Sequence, residues 1–280
     1  MISFVVENEP TIRLIAFLGI FVAVALAEIA VPRRALTMSK LTRWIANLGL
    51  VVLNTVVVRL LFATAAVGLA HAATGAGWGL FNWLDWPLWL EIVLAVAVLD
   101  FVIYLQHVMF HAVPALWRLH MMHHADLDFD VTTGARFHPI EIVLSMILKI
   151  AVVAALGPHP AAVVIFEVLL NGTAMFNHGN MRIPLAIDRV LRLFVVTPDM
   201  HRVHHSVVRT ETNSNFGFNL PWWDRLFGTY RAQPAAGHEG MTIGLEQFRE
   251  PAKLTLAHIL LLPFRGNTGT YPLGRRASDE

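Results

Sequence analysis

Long apolar stretches recur along the first two thirds of the chain. Three of them, residues 12–31, 44–70 and 86–106, are apolar enough to cross a bilayer, because a spanning helix takes about 20 such residues. A fourth, residues 139–176, is interrupted by Gly157-Pro158-His159-Pro160, which predicts a tight reversal between two helices of roughly 17 residues each. The pattern predicts an all-α integral membrane bundle of about three spans plus a helical hairpin.

The first apolar stretch is predicted to be a retained membrane anchor. It follows Glu7 and Glu9, and no small-residue cleavage pattern accompanies it, whereas a secretory signal has a basic start and such a site. The final residues carry no retention signal for the endoplasmic reticulum, so a bacterial inner membrane is the expected location.

Positive charge in the short loops predicts the orientation, since such charge favours the cytoplasmic side. The loop 71–85 and the hairpin tip contain no Lys or Arg, whereas four basic residues lie between the first two stretches: Arg33, Arg34, Lys40 and Arg43. The third span and the hairpin then both emerge on the cytoplasmic side. The less hydrophobic segments 112–138 and 182–280 are expected to form a helical cap there.

We expect one domain, residues 1–280. Residues 1–106 supply the anchor helices, residues 107–230 the catalytic core with the hairpin 139–176, and residues 231–280 a cytoplasmic tail that is solvated from Gly266 onward.

Composition excludes several classes of protein. The chain is 56% hydrophobic and 15% charged with a net charge of +1, which does not favour binding to nucleic acid. It has no cysteine, so disulfides, thiolate metal sites, iron–sulfur clusters and a catalytic thiol are excluded. Histidine is abundant, with 14 residues, and most of them lie between His107 and His205.

These histidines form three boxes. The first is an H-x-x-x-H pair and the other two are H-x-x-H-H triplets, with the members His107, His111, His120, His123, His124, His201, His204 and His205. Residues at i and i+4 share a helix face, so each box can present imidazoles to one cation. Eight imidazoles exceed the needs of one metal, which implies two. Imidazole suits Zn, Fe, Cu and Ni alike, and no H-E-x-x-H zinc hydrolase motif is present.

The boxes, followed by N-S-N-F-G-F-N-L-P-W-W-D-R-L-F-G-T-Y at residues 213–230, resemble the fatty acid hydroxylase and sterol desaturase superfamily over residues 100–230. The resemblance implies a membrane oxygenase with two non-haem Fe ions that uses O₂ to hydroxylate or desaturate a lipid. The lipid would be sterol-like, fatty-acyl or an ether lipid. No flavin, dinucleotide or haem-domain motif is present, so a separate reductase, ferredoxin or cytochrome would supply electrons.

Two more histidines resemble family positions. His178, in F-N-H-G-N, is a candidate ninth ligand, and His138, in R-F-H-P-I-E, is a tenth ligand or a hydrogen-bond donor that Glu141 could orient. The stretch that carries the resemblance also contains Asn215. The candidate catalytic residues are Asp100, Tyr104, Asp130, Glu141, Asn215 and Asp224.

Acidic and aromatic residues surround these boxes. Asp100, Tyr104, His107 and His111 fall within about 40 degrees of one another on a helix. Asp100 is therefore a candidate partner for a ligating histidine, as are Asp130, Asp199 and Asp224, although capping or solvation explains the last three equally well.

Charges within the apolar stretches suggest two ion pairs, Arg59 with Asp100 and Lys149 with Glu167. The apolar run 220–227, which contains Trp222, Trp223 and Phe227, is predicted to be an interfacial anchor that also guides an acyl chain.

Three other functions compete with the oxygenase. A metal transporter would need ligands within the spans, and a bis-His haem protein would leave most histidines unused. A di-zinc hydrolase is chemically the nearest alternative, and the identity of the bound metal separates it.

Overall fold

The computed structural model describes residues 2–62, 65–265 and 267–273. The described α-helices are α1 Ile2–Glu7, α2 Glu9–Ala30, α3 Lys40–Leu61, α4 Ala65–Ala76, α5 Leu88–Ala112, α6 Pro114–His124, α7 Pro139–Leu156, α8 Pro160–Asn177, α9 Leu185–Leu191, α10 Pro198–His204, α11 Arg209–Thr212, α12 Trp222–Leu226, α13 Gly237–Gly240 and α14 Leu256–Arg265.

Five helical segments are long and apolar enough to cross a membrane: α2, the segment Lys40–Trp83, α5, α7 and α8. This confirms the predicted three spans plus hairpin. The second predicted span, residues 44–70, begins within α3 and ends within α4. The other boundaries agree with the apolar pattern to within three residues, except that α5 continues beyond the predicted end at residue 106 to Ala112.

The hairpin turns where the sequence predicted it. Gly157 ends α7 with a left-handed backbone (φ 59°), a conformation that glycine adopts without steric cost. A Cβ at this position would lie 2.2 Å from the carbonyl oxygen of Trp78, so the close approach also requires glycine. His159 then caps α8 by accepting a hydrogen bond from the backbone N–H of Ala161. The reversal is thus fixed by local backbone chemistry.

Glu167 is a buried carboxylate within the spans, and it is paired with basic side chains, as is usual for a charge in a bilayer. The Lys149 ammonium lies 2.6 Å from the Glu167 carboxylate, which confirms that pair. Arg13 of α2 also contacts Glu167. Glu167 therefore joins α2, α7 and α8 through one carboxylate.

The predicted pair between Arg59 and Asp100 is wrong. Arg59 is exposed and makes no ion pair with the described part of the chain. Asp100 instead accepts hydrogen bonds from the backbone N–H groups of Asn219 and Leu220 and from the indole of Trp223. The pair was predicted because Arg59 and Asp100 lie at similar depths in their spans. That pattern contains no information about a loop more than 100 residues away, which donates the hydrogen bonds to Asp100.

The C-terminal segment packs against the cap where it is described. Tyr271 is buried and its ring lies 5.8 Å from that of Trp117, whose indole N–H donates to the Thr268 carbonyl at 3.1 Å. The expectation of a solvated tail from Gly266 is therefore wrong for residues 267–273. Gly266 and residues 274–280 lie outside the described residues.

Candidate metal centre

Four structural elements bring nine histidines together at one end of the bundle. The last turns of α5 carry His107 and His111, and α6 carries the second box. His178 ends α8, and α10 carries the third box, which finishes at His205 just beyond the helix. Because these four helices end at the same end of the bundle, their histidine rings converge there.

The nine rings form two separate groups. The five-histidine group consists of His107, His111, His120, His124 and His204, and the four-histidine group consists of His123, His178, His201 and His205. Within each group the available nitrogen atoms lie within 4.8 Å of one another, and every ring is buried. The structure therefore brings together all eight box histidines and His178, and it divides them as two metals would require.

Backbone carbonyl groups orient four of these nine rings. The Nδ1–H of His107 donates to the Phe216 carbonyl at 2.8 Å, that of His204 to Ser214 at 2.7 Å, and that of His178 to Ala174 at 2.7 Å. His123 donates likewise to the Arg136 carbonyl at 3.2 Å. A carbonyl only accepts, so the hydrogen must be on Nδ1. Each Nε2 is then left with a lone pair that points into its group.

These lone pairs face one another. In the four-histidine group the His178 Nε2 lies 3.2 Å from the Nε2 atoms of both His123 and His205. His123 and His178 both carry their hydrogen on Nδ1, so their Nε2 atoms cannot hydrogen-bond to each other. Buried acceptors at this distance repel unless a cation lies between them. The donor set thus fits metal ions bound by imidazole nitrogen.

Burial also keeps the rings in the neutral form that binds metal. It lowers the pKa of His120 and of His178 to about 3. Burial, followed by repulsion between neighbouring rings, lowers the pKa of five others well below the ordinary value: His123, His124, His201, His204 and His205. Lone pairs are therefore available at neutral pH.

His138 is not part of either group. Its Nδ1 accepts from the Ile140 N–H at the start of α7, and its Nε2–H donates to the Leu260 carbonyl at 3.2 Å. Both ring nitrogens are engaged, so no lone pair remains for a metal. The ring of His138 therefore caps the start of α7 and connects α7 to α14.

The Glu141 side chain hydrogen-bonds to the ring of a box histidine, whereas the sequence suggests that it orients the ring of His138. Its Oε1 accepts from the Nδ1–H of His120 at 2.7 Å. This is the one carboxylate among the predicted site residues that contacts a ring of either group. It fixes the tautomer of His120, whose Nε2 lies 3.1 Å from that of His107.

Replacing Glu141 with alanine is expected to weaken metal binding by about 10- to 100-fold, the usual effect of removing a partner of a metal-bound histidine. Glu141→Gln keeps a carbonyl acceptor at the same position, so it should retain most of the affinity. Metal retention during titration with a chelator would measure both. Equal losses in the two variants would contradict an orienting role that depends on the hydrogen bond.

The other predicted acidic residues act on the backbone or on arginines. Asp224 accepts from the N–H groups of Phe216 and Gly217, both at 2.8 Å, and so holds the carbonyl that orients His107. Asp199 contacts Arg33 and Arg202. None of Asp100, Asp130, Asp199 and Asp224 hydrogen-bonds to a ring of the two groups. The expectation that they orient metal-binding histidines directly is therefore corrected.

Tyr104 and Asn215 also support the loop after α10. The Tyr104 hydroxyl lies 3.0 Å from that of Thr229, which in turn donates to Asp224 at 2.7 Å. Asn215 has a left-handed backbone (φ 52°), and its amide donates to the carbonyls of Met200 and Arg231. Both residues therefore position backbone and do not contact the histidine rings through hydrogen bonds.

Sequence reasoning missed a buried polar network beside the four-histidine group. The guanidinium of Arg43 binds Asp126 through two 2.8 Å contacts and lies 2.5 Å from Asp130. Arg136, whose carbonyl orients His123, is held by Asn47 and by the Met122 carbonyl. In the sequence, Arg43 indicates only the orientation of the first loop. The D-x-D-x-D spacing of Asp126, Asp128 and Asp130 was the available signal.

Aromatic rings fill the space around the histidines. Phe137 stacks on His123 at 4.5 Å, and Phe216 lies edge-on to His107 at 5.5 Å. Phe129 covers His178 and His205, and Trp117 covers His111. Such a lining excludes bulk water from both groups.

The fold and these groups define an integral membrane protein with two buried groups of histidines that could bind metal. Residues 92–229 match the family model described as fatty acid hydroxylase. The chain therefore carries a fatty acid hydroxylase domain over these residues. The matched residues include all nine clustered histidines, so the match covers both histidine groups.

The chain is also similar in sequence to curated proteins that are named lipid hydroxylases or monooxygenases. The chain is 31% identical over 153 residues to ornithine lipid hydroxylase OlsE of Rhizobium tropici, covering 54% of this chain and 45% of the relative. It is 29% identical over 188 residues to alkylglycerol monooxygenase of Homo sapiens, covering 64% and 39%. It is 24% identical over 146 residues to cholesterol 25-hydroxylase of Rattus norvegicus, covering 51% and 48%. The matched segment spans less than half the length of these relatives, and no solved structure matches the chain.

Proposed function

We propose that this chain is a membrane-bound, non-haem di-iron oxygenase that acts on a lipid, with electrons from a separate donor protein. The observation that carries the proposal is the pair of inward-facing Nε2 atoms of His123 and His178, 3.2 Å apart with both hydrogens held elsewhere. Only a cation satisfies such a pair, and the five-histidine group provides a second site of the same chemistry.

Iron is favoured over zinc by the family. The relatives described above are named hydroxylases or a monooxygenase, and we infer hydroxylation of a lipid as the outcome here. When bound, two irons would supply O₂ activation and removal of hydrogen from an unactivated C–H bond. The five- and four-histidine groups would hold one iron each.

The chain's own residues would arrange this reaction. The carbonyls of Phe216, Ser214 and Ala174 fix ring orientation, and Glu141 fixes His120. The aromatic lining keeps water away from the reacting carbon. Because no ring of either group is exposed, the substrate must reach the site through a passage between packed side chains.

Metal analysis of detergent-purified protein tests the proposal. We expect about two irons per chain in the wild type, in line with two histidine groups, with Mössbauer parameters of coupled non-haem iron. His204→Ala removes a ligand of the five-histidine group and should lower the iron content. Stoichiometric zinc after expression with ample iron would favour a di-zinc hydrolase, and wild-type protein without bound metal would refute the metal centre.

We further propose an inner-membrane location with the histidine groups on the cytoplasmic side, within one domain. The basic residues Arg33 and Arg34 lie at the histidine end of the bundle, where they contact Asp199 and the His238 carbonyl, and positive loops favour the cytoplasm.

Cysteine labelling tests this orientation, since the chain has no native cysteine. A membrane-impermeant maleimide added to intact cells should label Trp83→Cys, which is exposed at the opposite end. It should not label Val208→Cys, which is exposed on the cap. The reverse result would invert the topology.

A further inference from the structure

The cap segment 218–223 contacts the spans at positions that lie within the membrane and not beyond the ends of the helices. The helix α5 starts at Leu88, near exposed Trp83 and Trp89, as is typical of a membrane interface. At a rise of about 1.5 Å per residue, Asp100 is about 18 Å from that start and so within a hydrocarbon core about 30 Å thick. The Trp223 indole donates to Asp100 at 2.8 Å, which places α12 at the same depth.

A second span gives the same result. Asn219 hydrogen-bonds to Thr173, which is one turn before the end of α8, and the Asn177 amide donates to the Phe218 carbonyl at 3.1 Å. Two helices thus independently place this segment inside the leaflet on the histidine side.

The outward surface of this region is apolar. The residues that form it come from α9, the turn that follows α9, and α12. The turn and α12 are joined because the Trp222 indole donates to the Leu193 carbonyl at 2.6 Å. The Arg225 guanidinium also donates to the Arg192 carbonyl at 3.1 Å. We call this surface the leaflet face; its exposed apolar members include Leu185 (66%), Val190, Phe194 (62%), Trp222, Leu226 (70%) and Phe227.

The charge on the leaflet face has one sign. Arg189 and Arg225 are exposed, whereas the acidic residues of the two helices, Asp188 and Asp224, are buried. Asp188 is paired with Arg192, and Asp224 is occupied by backbone N–H groups. Large apolar side chains edged by cations fit acyl chains edged by anionic headgroups.

The geometry points to the leaflet face being immersed in the membrane leaflet on the histidine side, with anionic phospholipid headgroups at Arg189 and Arg225. The cap is therefore partly a membrane-embedded structure, and its α12 packs against Phe101 and Tyr104 at the depth of acyl chains. This inference does not depend on which metal is bound.

Site-directed spin labelling in vesicles of phosphatidylcholine and phosphatidylglycerol tests the immersion. Nitroxides at Leu226→Cys and Phe194→Cys should collide with O₂ more than with a water-soluble nickel chelate. The matched cap position Val208→Cys should show the opposite preference. Nickel accessibility at 226 and 194 equal to that at 208 would overturn the inference. Protection from both reagents with spin–spin broadening would overturn it in favour of a contact between two copies.

The headgroup preference is measured with spin-labelled lipids. Relative association of phosphatidylglycerol over phosphatidylcholine should fall in the Arg189→Gln, Arg225→Gln double variant by up to about fivefold for each arginine removed, as for cations near a membrane surface. Lys253→Gln removes an exposed cation from the cap, where it pairs with Glu250, and should leave the preference unchanged. An unchanged preference in the double variant would refute the role of the arginines.

Discussion

Replacing His178 with alanine is expected to lower the metal content from about two ions to about one per chain and to reduce lipid oxidation by about 1000-fold or more, since two-metal chemistry requires both ions. The His178 Nε2 lies 3.2 Å from the Nε2 atoms of both His123 and His205. Its loss leaves the four-histidine group with three rings and opens a gap between α8 and α10. The measurements are metal content per chain and product formed per turnover.

His138→Ala is the matched control. His138 also follows the family pattern and is also largely buried, but both of its nitrogens are used in capping α7 and binding the Leu260 carbonyl. This variant should retain both metals and lose about 1 kcal/mol of stability, as for loss of a helix cap. Loss of metal in His138→Ala together with full metal in His178→Ala would refute the assignment of the ninth ligand.

Replacing Asp126 with alanine is expected to destabilise the protein by about 3–5 kcal/mol, because it leaves a buried charge without its partner. Arg43 and Asp126 are 2% exposed or less and form a two-bond ion pair. Although burial alone would raise it, the Arg43 guanidinium holds the pKa of Asp126 below its usual value. Thermal unfolding in detergent measures the loss.

The double variant Arg43→Met, Asp126→Met separates pairing from packing. Removal of both charges should cost less than Asp126→Ala alone, since apolar replacements of a buried pair are better tolerated. Additive losses in the corresponding single variants would show that the two residues are not coupled. The Asp126 charge also attracts the buried Arg136 guanidinium, and the Arg136 carbonyl orients His123. Asp126→Ala should therefore also weaken metal binding at the four-histidine group.

The helical spacing of the boxes contained more information than the sequence interpretation used. Each i, i+4 pair remains within one group: His107 with His111, His120 with His124, and His201 with His205. Adjacent His123 and His124 point about 100° apart on a helix and enter different groups. The spacing thus predicts which rings within a box share a metal, but not which boxes share it.

Hydrogen-bond partners of the rings were not predictable from residue type. Carboxylates were expected to orient the histidines, yet the structure uses the carbonyls of Phe216, Ser214, Ala174 and Arg136 for four of them. Every residue has a carbonyl, so no sequence pattern marks these positions. The aspartates instead fix the loops that present the carbonyls, as Asp224 does for Phe216.

The sequence by itself determined the membrane spans, the hairpin at Gly157, the three boxes and the family, because chain length, hydropathy and helical period are local properties. Only the tertiary structure decided the division into five and four rings, the exclusion of His138, the partner of Glu141 and the docking of Trp223 on Asp100. These depend on contacts between residues distant in sequence, where the geometry of packed helices, and not local pattern, determines which polar atoms can meet.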